Sequence, residues 1–291
     1  KPVVVGFDPA TFQADVDAMA AAITPNTILL VASAPCYSQG VVDPVPAIAA
    51  LAHQRGLLCH VDACVGGIHL SFMRKLGYTV APFDLSVPGV TSLSVDMHKY
   101  GYAAKGASVI LYRDRSLRRF QIFSSTDTTA YTIINPTALS SRSGGPLAGA
   151  WAILHYLGEE GYKAIVATVQ AATERLIAGV EGIAGLRVLG RPAMSMFSFA
   201  ADDVNVYQLA DAMRRRNWYL QPQFSTPISP RNLHISMTYG AAHNVDALLA
   251  DLAECVAEVR AAPALDTEFI AAAAAALAED PSPEAIAGLM G

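Results

Sequence analysis

Charge is scarce in this chain. Asp, Glu, Lys and Arg make up 15% of the 291 residues, and no stretch carries five or more like charges. That excludes the basic stripe of a nucleic-acid binder and the polybasic segment of a membrane-surface protein. With 20 Lys and Arg against 25 Asp and Glu, any anionic substrate must be held by a few local cations. No apolar run reaches about 18 residues, so no spanning helix is expected. Ile270 to Leu277 is apolar, but it is short and mostly alanine, as in a packed helix. Cysteine is sparse. Cys36, Cys59, Cys64 and Cys255 form no Cys-x-x-Cys pair and read as reduced thiols of a cytoplasmic protein. A signal peptide is missing too. The opening Lys1-Pro2-Val3-Val4-Val5 reads as the middle of a domain, so an N-terminal part, with any membrane anchor, is expected to be absent.

What the chain does have is apolar residues, 53% of the total, enough for a sizeable core. Helical and strand patterns alternate in the first third. Asp8 to Ile23 predicts an amphipathic helix, and Thr27 to Ala32 a buried strand. Asp43-Pro44 predicts a helix start, with the aspartate as N-cap, running to about Arg55. Leu57 to Val61, Thr91 to Val95 and Ala107 to Tyr112 read as further strands, with a helix over Gly67 to Leu76. Strands separated by helices argue for a largely parallel sheet. Residues 114–145 are polar, with little periodicity, and read as a functional loop. A long helix over Pro146 to Ile183, broken near Gly158 to Gly161, leads to an α+β unit. Its strands fall at Met196 to Ala200, Tyr219 to Gln223 and Leu233 to Thr238, and its helices at Val204 to Arg216, Asn244 to Ala261 and Thr267 to Ala278.

Two short runs carry chemistry. Asp62 closes an apolar run in His60-Val61-Asp62-Ala63-Cys64. Lys99 follows another in Ser92-Leu93-Ser94-Val95-Asp96-Met97-His98-Lys99. Ligands of open parallel sheets bind beyond the carboxyl ends of the strands. A carboxylate there can pair with a pyridinium nitrogen, or it can simply cap the next helix. A lysine near apolar walls and other cations has a lowered pKa, which suits it to imine chemistry with pyridoxal 5′-phosphate (PLP). Ser92, Ser94, Asp96 and His98 share parity, setting a polar row opposite Leu93 and Val95. Cys59 and Asp62 differ by an odd number and should point apart, which argues against a metal site. Lys105 beyond the turn is either a second functional amine or a solvated surface lysine.

The run Pro88 to Gly106, with His60 to Gly67, Pro82-Phe83-Asp84 and Gly40 to Pro44, resembles the PLP-dependent group II decarboxylase superfamily. Within it, Lys105 and the Cys64 of Val-Asp-Ala-Cys are most similar to the sphingosine-1-phosphate lyases. The resemblance implies an α/β chain of fold-type-I PLP-dependent transferase type. Residues 1–122 would be the remainder of the large PLP-binding domain, 123–164 a loop and connecting helix, and 165–291 a small C-terminal α+β domain. It also implies a homodimer, with the loop 124–145 reaching toward a partner's site.

The same resemblance assigns roles. Lys99 carries the cofactor as a Schiff base, Asp62 pairs with the ring nitrogen, and Ala63 lies against one ring face. His98 sits near the cofactor phosphate, and Ser33 counts among the cofactor-binding residues. Lys105 lies near the reacting hydroxyl or the substrate phosphate. Gln39 falls where lyases tend to have the histidine of Pro-His-Gly, Tyr131 where a Gly-Gly-x-Tyr element ends, and with Arg142 they form the substrate-side set. The reaction implied is retro-aldol cleavage of a phosphorylated sphingoid base to a fatty aldehyde and phosphoethanolamine. The alternatives are an L-amino-acid decarboxylase using the same cofactor, with Arg142 or Arg231 for the carboxylate, and a non-catalytic truncated paralogue.

Overall fold

The computed structural model describes residues 1–127, 131–137 and 141–262, together with Ala272, Ala275 and Ser282. The helix expected over Thr267 to Ala278 falls almost wholly outside the described residues. The described chain forms two compact units. Of the described residues, the first comprises those within 1–175, 189–197 and 236–243, and the second those within 176–188, 198–235 and 244–262.

The first unit begins with α1 (Val16–Ala21), β1 (Leu29–Ser33), α2 (Val45–Gln54), β2 (Leu58–Asp62), α3 (Gly66–Lys75), β3 (Ser92–Asp96) and β4 (Ser108–Tyr112). The strands form one sheet in that order, β1, β2 and β3 parallel and β4 antiparallel to β3. The predicted helix Asp8 to Ile23 is therefore cut to its second half. The Asp8 carboxylate accepts from the Ala10 and Thr11 amides, which bends the chain before Asp15 caps α1. Asp43 does not cap α2 either. It is buried and accepts from the amides of Ala14 (2.9 Å) and Ser33 (2.7 Å), tying the start of the chain to the end of β1.

One sheet face is packed. Leu30, Ala32, Cys59, Val61, Leu93 and Val95 lie in a core with Ile48, Ala49, Leu70 and Met73 of the helices. Gly66 and Gly67 set how closely α3 approaches. A Cβ at Gly66 would run into the Ala34 carbonyl, and one at Gly67 would lie 2.7 Å from a Val95 methyl. Arg113, just after β4, ties down the segment entering β3 by donating to the carbonyls of Leu85, Val87 and Val90.

The expected loop 114–145 contains a 3-10 turn at Arg115–Gln121 and a small hairpin of β5 (Phe123–Ser125) and β6 (Ile133–Asn135). Helix α4 (Gly145–Glu181) is interrupted at Gly158, whose φ of 57° and ψ of −171° are not helical.

The second unit holds an antiparallel sheet ordered β7 (Leu186–Val188), β8 (Met196–Ala201), β10 (Asn232–Ser236), β9 (Gln221–Gln223). Two helices, α5 (Val206–Arg215) and α6 (Val245–Ala261), belong to it. The Asn205 side chain caps α5 by accepting from the amides of Tyr207 and Gln208. No described helix is long and apolar enough to cross a membrane.

Candidate active site

Alternation along the parallel strands sends Ser33, His60, Asp62, Ser92, Ser94 and Asp96 to the face that α2 and α3 do not cover. Ser33 and Asp62, at the carboxyl ends of β1 and β2, stand side by side in register with Ser94 of β3. The Asp62 carboxylate accepts from the Cys64 amide at 3.0 Å and from the Ser94 hydroxyl at 3.2 Å. Burial pushes its pKa up. Hydrogen bonds from the Cys64 thiol and amide and from Ser94, with His60 nearby, outweigh that and hold the carboxyl below its usual range. Asp62 is an anion whose donors are already in place.

Lys99 reaches back to the same spot from the turn after β3. Its Nζ lies 3.0 Å from Cys64 Sγ and 3.0 Å from an Asp96 carboxylate oxygen. The sequence predicts a lowered amine pKa here, and the structure shows the reverse. Burial lowers it, but the hydrogen bonds and charges of Cys64 and Asp96 raise it above the ordinary lysine value. The cations expected around Lys99 are replaced by an anion three residues upstream. The Cys64 thiol, raised chiefly by burial, keeps its proton, so it can donate to Asp62 while accepting from Lys99. Asp96 also accepts from the Ser108 hydroxyl at 2.5 Å and lies 3.5 Å from His98 Nε2.

Residues that the sequence reading passed over fix the turn carrying this amine. The buried Tyr100 donates its hydroxyl to the Met237 carbonyl (3.1 Å), and Tyr162 donates to the Gly101 carbonyl (2.7 Å). His98 Nδ1 donates to the Ala107 carbonyl at 2.7 Å. Tyr102 has φ of 59°, a left-handed backbone that a non-glycine side chain adopts at a cost of about 1 kcal/mol. A Cβ on Gly101 would meet the Met97 backbone. One signal was available: aromatic residues bracket a glycine directly after Lys99.

The other predicted residues are more dispersed. Ala63 is fully buried, and its amide donates to the Ser94 carbonyl. Ser33 donates its amide to Asp43. Gln39 is buried in the loop after β1 and accepts from the Cys36 thiol at 3.9 Å. Lys105 is exposed beyond the Tyr102 turn, with no hydrogen bond or ion pair to another described residue. Tyr131 is exposed between β5 and β6, and Arg142 is exposed before α4. Thr128 to Ala130, which precede Tyr131, lie outside the described residues.

A mostly parallel sheet with helices packed on one face is the α/β architecture of fold-type-I PLP enzymes. The comparisons agree with this. Residues 7–221 match the family model described as aminotransferase class-V, and the chain belongs to that family. A sphingosine-1-phosphate lyase of Arabidopsis thaliana is 41% identical over 252 residues, covering 87% of this chain and 46% of that protein. The structure of a sphingosine-1-phosphate lyase of Burkholderia pseudomallei superposes with a TM-score of 0.83 at 38% identity, covering 92% of this chain and 60% of the other. A glutamate decarboxylase of Lactobacillus brevis shares the fold, with a TM-score of 0.77 at 18% identity over 90% of this chain and 62% of that one. The chain spans about half the length of the curated relatives it matches.

Proposed function

We infer that the chain carries the cofactor acid and amine of a PLP-dependent carbon–carbon lyase. Its substrate is a phosphorylated sphingoid base, and its products are a fatty aldehyde and phosphoethanolamine. The observation that supports this reading most is the convergence of Asp62 and Lys99 on Cys64 at the carboxyl ends of β2 and β3. The residues fit the group. The acid is held ionised, as a pyridinium partner must be, and the amine is poised 3.0 Å from a thiol that touches that acid.

When bound, PLP supplies an electron sink for the pair released as the carbon–carbon bond breaks. Asp62 keeps a proton on the ring nitrogen. Lys99 would offer the attaching amine, and its ion pair with Asp96 holds that amine in place while it is charged. Lys105 is an exposed cation six residues on, without a partner among the described residues, and is suited to a substrate phosphate or to the proton of the cleaved hydroxyl. We assign His98, Ser33 and Ala63 to the cofactor's surroundings, and Gln39, Tyr131 and Arg142 to the substrate side. The family and the exposed apolar residues Leu147, Trp151 and Leu154 on one side of α4 support a homodimer. Four unpaired thiols support a reducing, cytoplasmic setting.

The test is a product assay on the intact protein reconstituted with PLP and given a phosphorylated sphingoid base. Fatty aldehyde is expected, with borohydride fixing the cofactor onto Lys99. Carbon dioxide from an amino acid without aldehyde, or label on another lysine, would overturn the assignment.

A further inference from the structure

His60 lies within the site and none of the roles above uses it. Its Nδ1 lies 2.8 Å from the Ser92 hydroxyl oxygen, and its Nε2 lies 3.2 Å from the Ser94 hydroxyl oxygen. The same Ser94 hydroxyl lies 3.2 Å from Asp62 Oδ1. Counting protons fixes the direction of this chain. A serine hydroxyl has one proton, and the Asp62 carboxylate has none to give. Ser94 must therefore donate to Asp62, which leaves its oxygen as an acceptor for His60. Nε2 then carries the ring proton, and Nδ1 accepts from the Ser92 hydroxyl. With the opposite tautomer, Ser94 would spend its proton on His60 and turn a lone pair toward an anion.

We propose that His60 is a positioning residue for Asp62: through its Nε2 proton it orients the Ser94 hydroxyl, and so sets how strongly Asp62 holds a proton on the ring nitrogen of the cofactor. This deepens the reading of the site given above and rests on it. The surroundings suit a neutral relay. His60 is flanked in register by Val31 of β1 and Ser92 of β3, and Asp62 is the charged group that faces it. Burial pulls its pKa down against the pull of Asp62, keeping the imidazole uncharged at neutral pH. A charged imidazole would donate from both nitrogens, and Ser92 would have to reverse. The chain thus has one consistent arrangement above the histidine pKa.

The experiment uses the intact protein reconstituted with PLP labelled with ¹⁵N in its ring, following the nitrogen shift and visible absorbance against pH. In His60→Leu, where Asp62 loses part of the Ser94 donation that holds its basicity down, the ring nitrogen should lose its proton about one pH unit higher than in the parent, a tenfold change in its proton affinity. Borohydride should still fix the cofactor to Lys99. His60→Gln keeps a donor and an acceptor and should restore most of the parent profile. Ser94→Ala should reproduce the shift, and His60→Leu combined with Ser94→Ala should add nothing further, because both act through one hydroxyl. A His60→Leu profile that superimposes on the parent's would overturn the relay, as would a shift that Ser94→Ala fails to share. If His60→Leu does not fold, Ser94→Ala decides alone. Failure to label Lys99 in the parent would instead sink the cofactor assignment, and the relay with it.

Discussion

The two faces of the sheet β1 to β3 are made from the same fifteen residues and obey different rules. On the covered face every position is apolar, and Ala32 is 1% exposed. On the open face Val31, next to it in sequence, is 49% exposed, and from there toward β3 the residues turn polar, through His60, Asp62, Ser92, Ser94 and Asp96. The covered face tolerates no charge because nothing there could solvate it. The open face can hold an anion because neighbouring strands bring donors to it in register. One residue of slip would exchange the two sets and destroy both the core and the site. The site is thus specified by the same pairing that specifies the fold.

Substitutions on each side should separate these roles. The largest expected effect is on the open face. Asp62→Asn should lower turnover by roughly 10²- to 10³-fold while borohydride still marks Lys99 and the unfolding midpoint barely moves. A comparable loss of thermal stability would mean that the acid is structural. On the covered face Leu93→Ala should cost about 3 kcal/mol in urea unfolding and leave the pH profile of the cofactor absorbance unchanged. A shifted profile would show that the faces are coupled.

One histidine sharpens the contrast through pH. His69, on α3, is buried against Tyr100, and burial lowers its pKa from 6.5 to about 4. Below pH 6.5 the unfolded chain takes up a proton that the folded chain refuses until about pH 4. Stability should therefore fall by about 2 to 3 kcal/mol as the pH drops from 6.5 to 4, and His69→Gln should flatten that slope in pH-dependent melts. A slope unchanged by the substitution would assign the acid sensitivity elsewhere. The smallest effect is that of Tyr162→Phe. Losing the hydrogen bond to Gly101 should cost about 1 kcal/mol in unfolding. It should slow cofactor capture by Lys99 more than it alters affinity for the substrate.

Much of this was legible from residue order. Parity in Ser92 to His98 predicted a polar row opposite Leu93 and Val95, and the burial along β3 alternates in that way. The helix ending near Arg55, the strand Leu57 to Val61 and the helix Gly67 to Leu76 fall within a residue or two of the ends of α2, β2 and α3. Parity predicts faces because a strand's period of two is local. What failed was non-local. Asp43 looked like a helix cap because Pro44 follows it, but its partners lie 29 and 10 residues back. The charge state of Lys99 was misread because apolar neighbours are visible in sequence, whereas the reach of Asp96 and Cys64 to one nitrogen is not. His60 carried no role in the sequence beyond opening the run that leads to Asp62. The two serines that give it a role sit on another strand, 32 and 34 residues away.

The turn that carries Lys99 is moored to Met237 and to Tyr162, 137 and 61 residues from their bonding partners in that turn. Anyone mapping loss-of-function variants will therefore find some of them, mild ones included, far from every group that meets a ligand. Read from activity alone, such positions would be mistaken for a second centre. Scored for where the amine comes to rest, they belong with the first.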